Sequence, residues 1–193
     1  MIVTEQKFSP YQQQPNAGQV ARLKLLPIDA VLALSPPGAG HGLDGPTTNE
    51  PLTVSKYGLA VSGGSPLTEL VFPVGACTFT ETSSRDPAGT VYSPELQATI
   101  PRNQPGLLNW LDQHKAHRWL ALWLDRNGLA YVAGEPGNGL RMEISRAVGA
   151  GNSVAVSLKG RYLHTTWFLE TFDSSVLFAD VEFSTEFDFS FNA

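Results

Sequence analysis

The run Arg118-Trp-Leu-Ala-Leu-Trp-Leu124 constrains the fold more than any other stretch of the chain. Its uninterrupted apolar part, Trp119 to Leu124, is far too short to span a bilayer. As a strand it is apolar on both faces, with Trp119 and Trp123 on one side and Leu120, Leu122 and Leu124 on the other. That pattern belongs to a central strand covered above and below, so the chain must supply layers on either side of it. The flanks agree: Asp125-Arg-Asn-Gly128 is a hairpin turn leading into Leu129 to Ala133.

The rest of the sequence has the texture of short strands and turns. Eighteen Gly and fourteen Pro in 193 residues, with only 16% charged side chains, favour β structure over helices. Gln19 to Leu34 is split by Pro27 and predicts strand, turn and short strand. Val54 to Val61, Leu70 to Thr82 and Thr90 to Ile100 are further strand runs, parted by Gly63-Gly64-Ser65-Pro66 and Ser84 to Gly89. A later hairpin sets Leu140, Met142 and Ile144 against Val154, Val156 and Leu158 across Gly149 to Asn152. One helix is expected at about 104–117, with Pro105 in its first turn and Leu107, Trp110, Leu111 and His114 on one face. The expected fold is therefore mainly β, a β-sandwich or barrel with one α-helix, an extended N-terminal arm and a C-terminal strand. Residues 1–17 form the arm, 18–180 a single β-rich domain with a long Gly/Pro loop at 36–51, and 181–193 the strand.

The C-terminal segment carries the sharpest periodicity. Val181, Phe183, Thr185, Phe187, Phe189 and Phe191 alternate with Glu182, Ser184, Glu186, Asp188 and Ser190, which is period two without exception. Such a strand has one greasy face and one anionic face, and an edge of unpaired backbone groups, so it must join a sheet of its own chain or a neighbour's. Val181, Phe183, Phe187, Phe189 and Phe191 are accordingly the expected assembly interface.

Charge follows the same division. The net charge is −5, yet all thirteen Lys and Arg precede residue 170, against twelve of the eighteen Asp and Glu. The excess acid is a property of the C-terminal part, and no basic stripe for direct nucleic-acid binding exists. The opening residues lack a basic region followed by an apolar run, so cytoplasmic synthesis and no membrane association are expected.

No motif announces an enzyme, and no cofactor is expected. His114 and His117 form H-x-x-H on the helix with Asp112 nearby, but without the pattern or third ligand of a metal hydrolase; they read as a helix C-terminus complementing the macrodipole. Gly40-His-Gly42-Leu-Asp-Gly45 spells G-x-G-x-x-G between prolines, where no strand-to-helix phosphate cradle can form. The single Cys77 sits in an apolar strand and reads as a buried, inert thiol. Glu182, Glu186 and Asp188 are spaced too far apart along one strand for a paired acid and base. Trp119 and Trp123 are expected to pack beneath the helix bearing Trp110; the alternative is an aromatic platform for a carbohydrate-binding β-sandwich.

The run from Glu69 to about Phe168 resembles small β-sandwich proteins among the structural components of tailed bacteriophages and related contractile injection particles. The residues concerned are Cys77-Thr-Phe-Thr-Glu-Thr, Thr90 to Pro101, the single helix, and the hairpins at Asp125–Gly128 and Gly149–Asn152. Val154-Ala-Val-Ser-Leu-Lys-Gly160 is similar to a late strand of tail-tube-like proteins. The resemblance covers about half the chain and departs from it in the Gly/Pro loop and the phenylalanine-rich tail. It implies a non-enzymatic virion structural protein, made in the host cytoplasm and assembled into rings or tubes with copies of itself and other particle proteins.

Overall fold

The computed structural model describes residues 16–38, 50–64, 66–87, 89–149 and 151–178. The doubly apolar run is strand β8 (Arg118–Asp125), and Trp119 through Trp123 are each at most 1% exposed. One edge of β8 pairs antiparallel with β1 (Val20–Pro27), in the register Leu23↔Trp123 and Leu25↔Ala121. The other edge is shared: β9 (Ala130–Ala133) takes residues 121–124, and β10 (Leu140–Ala147) takes Arg118 and Trp119. The chain passes between these two partners over a short loop bounded by Gly134 and Gly139. Gly134 has φ +110°, and a Cβ there would lie 2.7 Å from the Trp119 carbonyl; one on Gly139 would lie 2.9 Å from the Trp119 nitrogen. Only glycine lets the loop cross so close to β8.

Beyond β10 the sheet continues through β11 (Ser153–Lys159), β7 (Gly89–Pro101) and β6 (Cys77–Asp86). Beyond β9 it continues through β12 (Trp167–Leu169), which pairs in parallel with β3 (Thr53–Val54). β5 (Thr68–Val71) lies on the outer edge of β1, and β2 (Val31–Leu34) with β4 (Leu59–Val61) makes a separate two-stranded sheet. The result is a mainly β, sandwich-like fold whose large mixed sheet does not close into a barrel.

Two cores form, one on each face of β8. The first gathers Leu23, Leu25, Trp119, Trp123, Val156 and Leu96 with Leu107 and Leu111 of the helix α1 (Pro105–His114). The second gathers Leu26, Leu120, Leu122 and Val132 with Phe172, Leu177 and Phe178, the last of these at and beside the short helix α2 (Ser174–Leu177). Covering above and below is thus how β8 is used.

Several expectations are refined. Pro27 ends β1, and a 3-10 turn at Ile28–Ala30 leads into β2, the strand, turn and short strand read from the sequence. The hairpin register Met142↔Leu158 and Ile144↔Val156 is as expected. The run Leu70 to Thr82 is two strands rather than one, because Pro73 and Gly75 (φ +86°) turn the chain between β5 and β6. Helix α1 stops at His114, three residues before the expected end, as the chain straightens towards β8. No helix among the described residues is long and apolar enough to cross a membrane.

Candidate functional site

Val181, Phe183, Phe187, Phe189 and Phe191, the expected assembly interface, lie outside the described residues, as do residues 1–15, most of the 36–51 loop and the Gly40–Gly45 motif. Within the described chain, β6 stands at the end of the large sheet, with β7 as its strand partner on one side and no described strand on the other. Its ten residues pair with β7 in unbroken register from Cys77↔Ala98 to Asp86↔Gly89, with no bulge and no proline. Thr99 donates to the Ala76 carbonyl at 2.7 Å, which sets the phase of the ladder. Even-numbered residues of β6 bond to β7, so the amides and carbonyls of Phe79, Glu81, Ser83 and Arg85 point away from it. None of these backbone groups has a backbone partner among the described residues. The inner face beside this edge carries an aromatic row. Phe79 lies 4.7 Å from Trp123, Trp123 stacks on Tyr131 at 5.4 Å, and Tyr131 meets Phe168 at 4.9 Å between ring centroids.

Side chains hold the β6–β7 hairpin over residues 160–166. Glu81 accepts from the Thr166 amide at 2.8 Å and from the hydroxyls of Thr165 and Thr166 at 2.5 Å each. Arg161 pairs with Asp86, and Tyr92 and Tyr162 exchange backbone bonds at 2.8 and 2.9 Å. His164 stacks on Trp167 at 4.0 Å, its ring nitrogens facing the Thr165 carbonyl and the Glu135 carboxylate. Burial pushes the Tyr162 phenol well up. This clasp has no sequence signature, since Glu81 and its partners are 84 and 85 residues apart.

The other candidate groups are placed as follows. His114 donates from Nδ1 to the Trp110 carbonyl at 2.7 Å and stacks on that indole, with His117 edge-on at 5.3 Å. Asp112 pairs with Lys115 rather than with either histidine. No group of three metal-ligating side chains occurs among the described residues. Cys77 is buried and its thiol is pushed up to about 12 by loss of solvation. Trp119, Trp123 and Trp167 face the cores, and Trp110 is half-buried 5.7 Å from Trp119, so these indoles build no exposed platform. Trp119 meets the helix as expected, while Trp123 packs on Phe79 and Tyr131 instead.

A fourth feature is Lys24, 2% exposed on the second-core face of β1. Its Nζ donates to the Phe172 carbonyl at 2.7 Å and to Ser174 Oγ, and lies 4.1 Å from the centre of the Phe172 ring. Desolvation holds its pKa below the ordinary lysine value, opposed by the carboxylate of Glu69. A cleft of about 860 Å³ opens nearby, between β12, β3 and the β8–β9 turn. No protein-family model, curated protein or solved structure matches the chain.

Proposed function

We propose that this chain is a non-enzymatic structural subunit of a phage-tail-like particle, which assembles with copies of itself by adding the C-terminal strand of one subunit to the β6 edge of the next. The observation that carries the reading is β6 itself: ten regular residues at the end of the sheet, whose outer edge has no strand partner among the described residues. Natural edges are usually shortened, bulged, broken by proline or covered. Two other described edges fit that rule, β5 with four residues and β3 with two, while β10 leaves the six residues 142–147 beyond its pairing with β8. β6 does not, and it matches in length the eleven alternating residues from Val181 to Phe191. Added there, the donor's phenylalanine face would extend the row of Phe79 and Tyr131, and its acidic face would lie with the exposed Thr78, Thr80 and Thr82. Ring symmetry would multiply each such contact.

The test uses two variants. Deleting residues 181–193 should leave a folded chain that no longer assembles, read by light scattering and electron microscopy of the full-length protein alongside. Ser83→Pro removes an outward N–H without touching the β7 ladder, and should also block assembly. A truncated chain that still forms rings or tubes as well as the full one refutes the reading.

A further inference from the structure

We propose that the cleft beside the β8–β9 turn is the seat of the chain's own N-terminal arm, residues 1–15, with Phe8 and Tyr11 in its apolar floor and Lys7 at its acidic rim. This is independent of the assembly reading. Three observations converge on it.

The first is where the arm is rooted. Asn127 accepts from the Ala17 amide at 2.8 Å and donates to Asn16 Oδ1 at 3.0 Å, and Arg126 donates from its backbone to the Gln19 carbonyl at 3.1 Å. The turn that grips the root is itself rigid. Asp125 accepts from the amides of Asn127 at 2.9 Å and Leu129 at 2.8 Å. The next two residues of that turn, Gly128 and Leu129, wall the cleft. The arm therefore starts at the cleft's margin, and eight residues from Asn16 back to Phe8 reach up to about 28 Å when extended. A tethered segment so close competes at millimolar effective concentration.

The second is the shape and surface of the cleft. The open cleft, about 860 Å³, is lined by the apolar Leu124, Leu129, Phe168 and Phe172 and by the exposed Glu50 and Glu170, the latter also accepting from the Lys56 amide at 2.9 Å. Leu129 is 49% exposed, and an apolar wall of this kind invites a covering segment.

The third is charge. The arm sets its base next to its phenylalanine, Lys7-Phe8, with Tyr11 three residues on. Glu5 makes the arm's side chains neutral in sum, and it is the adjacency of Lys7 to Phe8 that matches an apolar floor beside carboxylates. The C-terminal segment, with Asp180, Glu182, Glu186 and Asp188 and no base, would meet Glu50 and Glu170 with like charge and is the poorer occupant.

The experiment is hydrogen exchange on the full-length chain together with zero-length carbodiimide cross-linking of a mixture of isotopically labelled and unlabelled protein. Amides in residues 2–12 should exchange at least about tenfold more slowly than in the free peptide of residues 1–15. That protection should vanish in Leu129→Arg, whose half-exposed side chain contributes little to folding, and in Phe8→Ala, which leaves the cleft intact. Lys7 should couple through its amine to the carboxylate of Glu50 or Glu170 within one copy. Exchange as fast as the free peptide, or unchanged by both substitutions, overturns the proposal. So do couplings found only between labelled and unlabelled copies, which would put a neighbour's arm in the cleft.

Discussion

Replacing Lys24 by methionine keeps the methylene stem but removes the ammonium that pins residues 171–178 to the sheet. The loss comprises two charge-assisted hydrogen bonds, about 1.5–3 kcal/mol each, and a contact with the Phe172 ring of about 0.5–2 kcal/mol. Against it stands the several kcal/mol of desolvation that a buried ammonium costs, so these terms largely cancel. What methionine cannot repair is the Phe172 carbonyl, left buried without its donor at a cost of about 1–3 kcal/mol. Lys24→Met should therefore lose about 1–3 kcal/mol in urea unfolding followed by tryptophan fluorescence, and hydrogen exchange should accelerate most over residues 171–178. The pH dependence has a definite sign. Because burial holds the folded pKa below the unfolded value of 10.5, the folded chain binds fewer protons than the unfolded one between those two values. This group's contribution to stability rises with pH across that window, and below the folded pKa its cost is fully present. The methionine variant should lack that alkaline gain relative to wild type. A variant as stable as wild type at pH 7, with unchanged exchange over 171–178, would refute the claim that Lys24 holds this segment.

Trp123→Ala removes a fully buried indole wedged between Phe79 and Tyr131 and should cost about 3–5 kcal/mol, measured by thermal or urea unfolding. Gly134→Ala meets both a positive φ and the Trp119 carbonyl, and should destabilise by at least about 1–3 kcal/mol, whereas Gly137→Ala, which meets a positive φ (+80°) but open space around its Cβ, should cost less by the same measurement. Cys77 should resist a thiol reagent at pH 8 in the native protein and react at once in denaturant, since burial both raises its pKa and shuts out the reagent.

The parts of the fold that could be read from sequence are those where local pattern and final environment agree. Trp119 to Leu124 is apolar on both faces because both faces are covered, and Pro27 breaks a run where the chain does turn. The hairpins declare themselves through Asp125–Gly128 and Gly149–Asn152, and Leu107 and Leu111 mark the buried stripe of the helix. What was hidden depends on distant partners. Arg22 and Lys24 alternate with Leu23 and Leu25, which reads as a strand with a solvent face; only residues 172–178, folded back from far along the chain, make that face a second core. The parallel pairing of β12 with β3 joins two short stretches too brief to show a period. Of the proposed assembly site, the alternation from Val181 to Phe191 is legible in the sequence, whereas nothing in Cys77 to Asp86 tells that one edge of that strand goes without a strand partner among the described residues.

The pairing of β1 with β8 also dictates when the molecule can become itself. Leu23 and Trp123 are partners in register yet a hundred residues apart in the chain, so a ribosome must release about a hundred further residues before β1 can meet the central strand. Closing so long a loop is entropically slow, and folds dominated by such pairings form in milliseconds to seconds. The hairpins β6–β7, β8–β9 and β10–β11 involve neighbours in sequence and can zip within microseconds of emerging. A nascent chain would thus carry prefabricated ribbons while Val20 to Pro27 waits, and during that interval the N-terminal strand is the segment most in need of shelter from other chains.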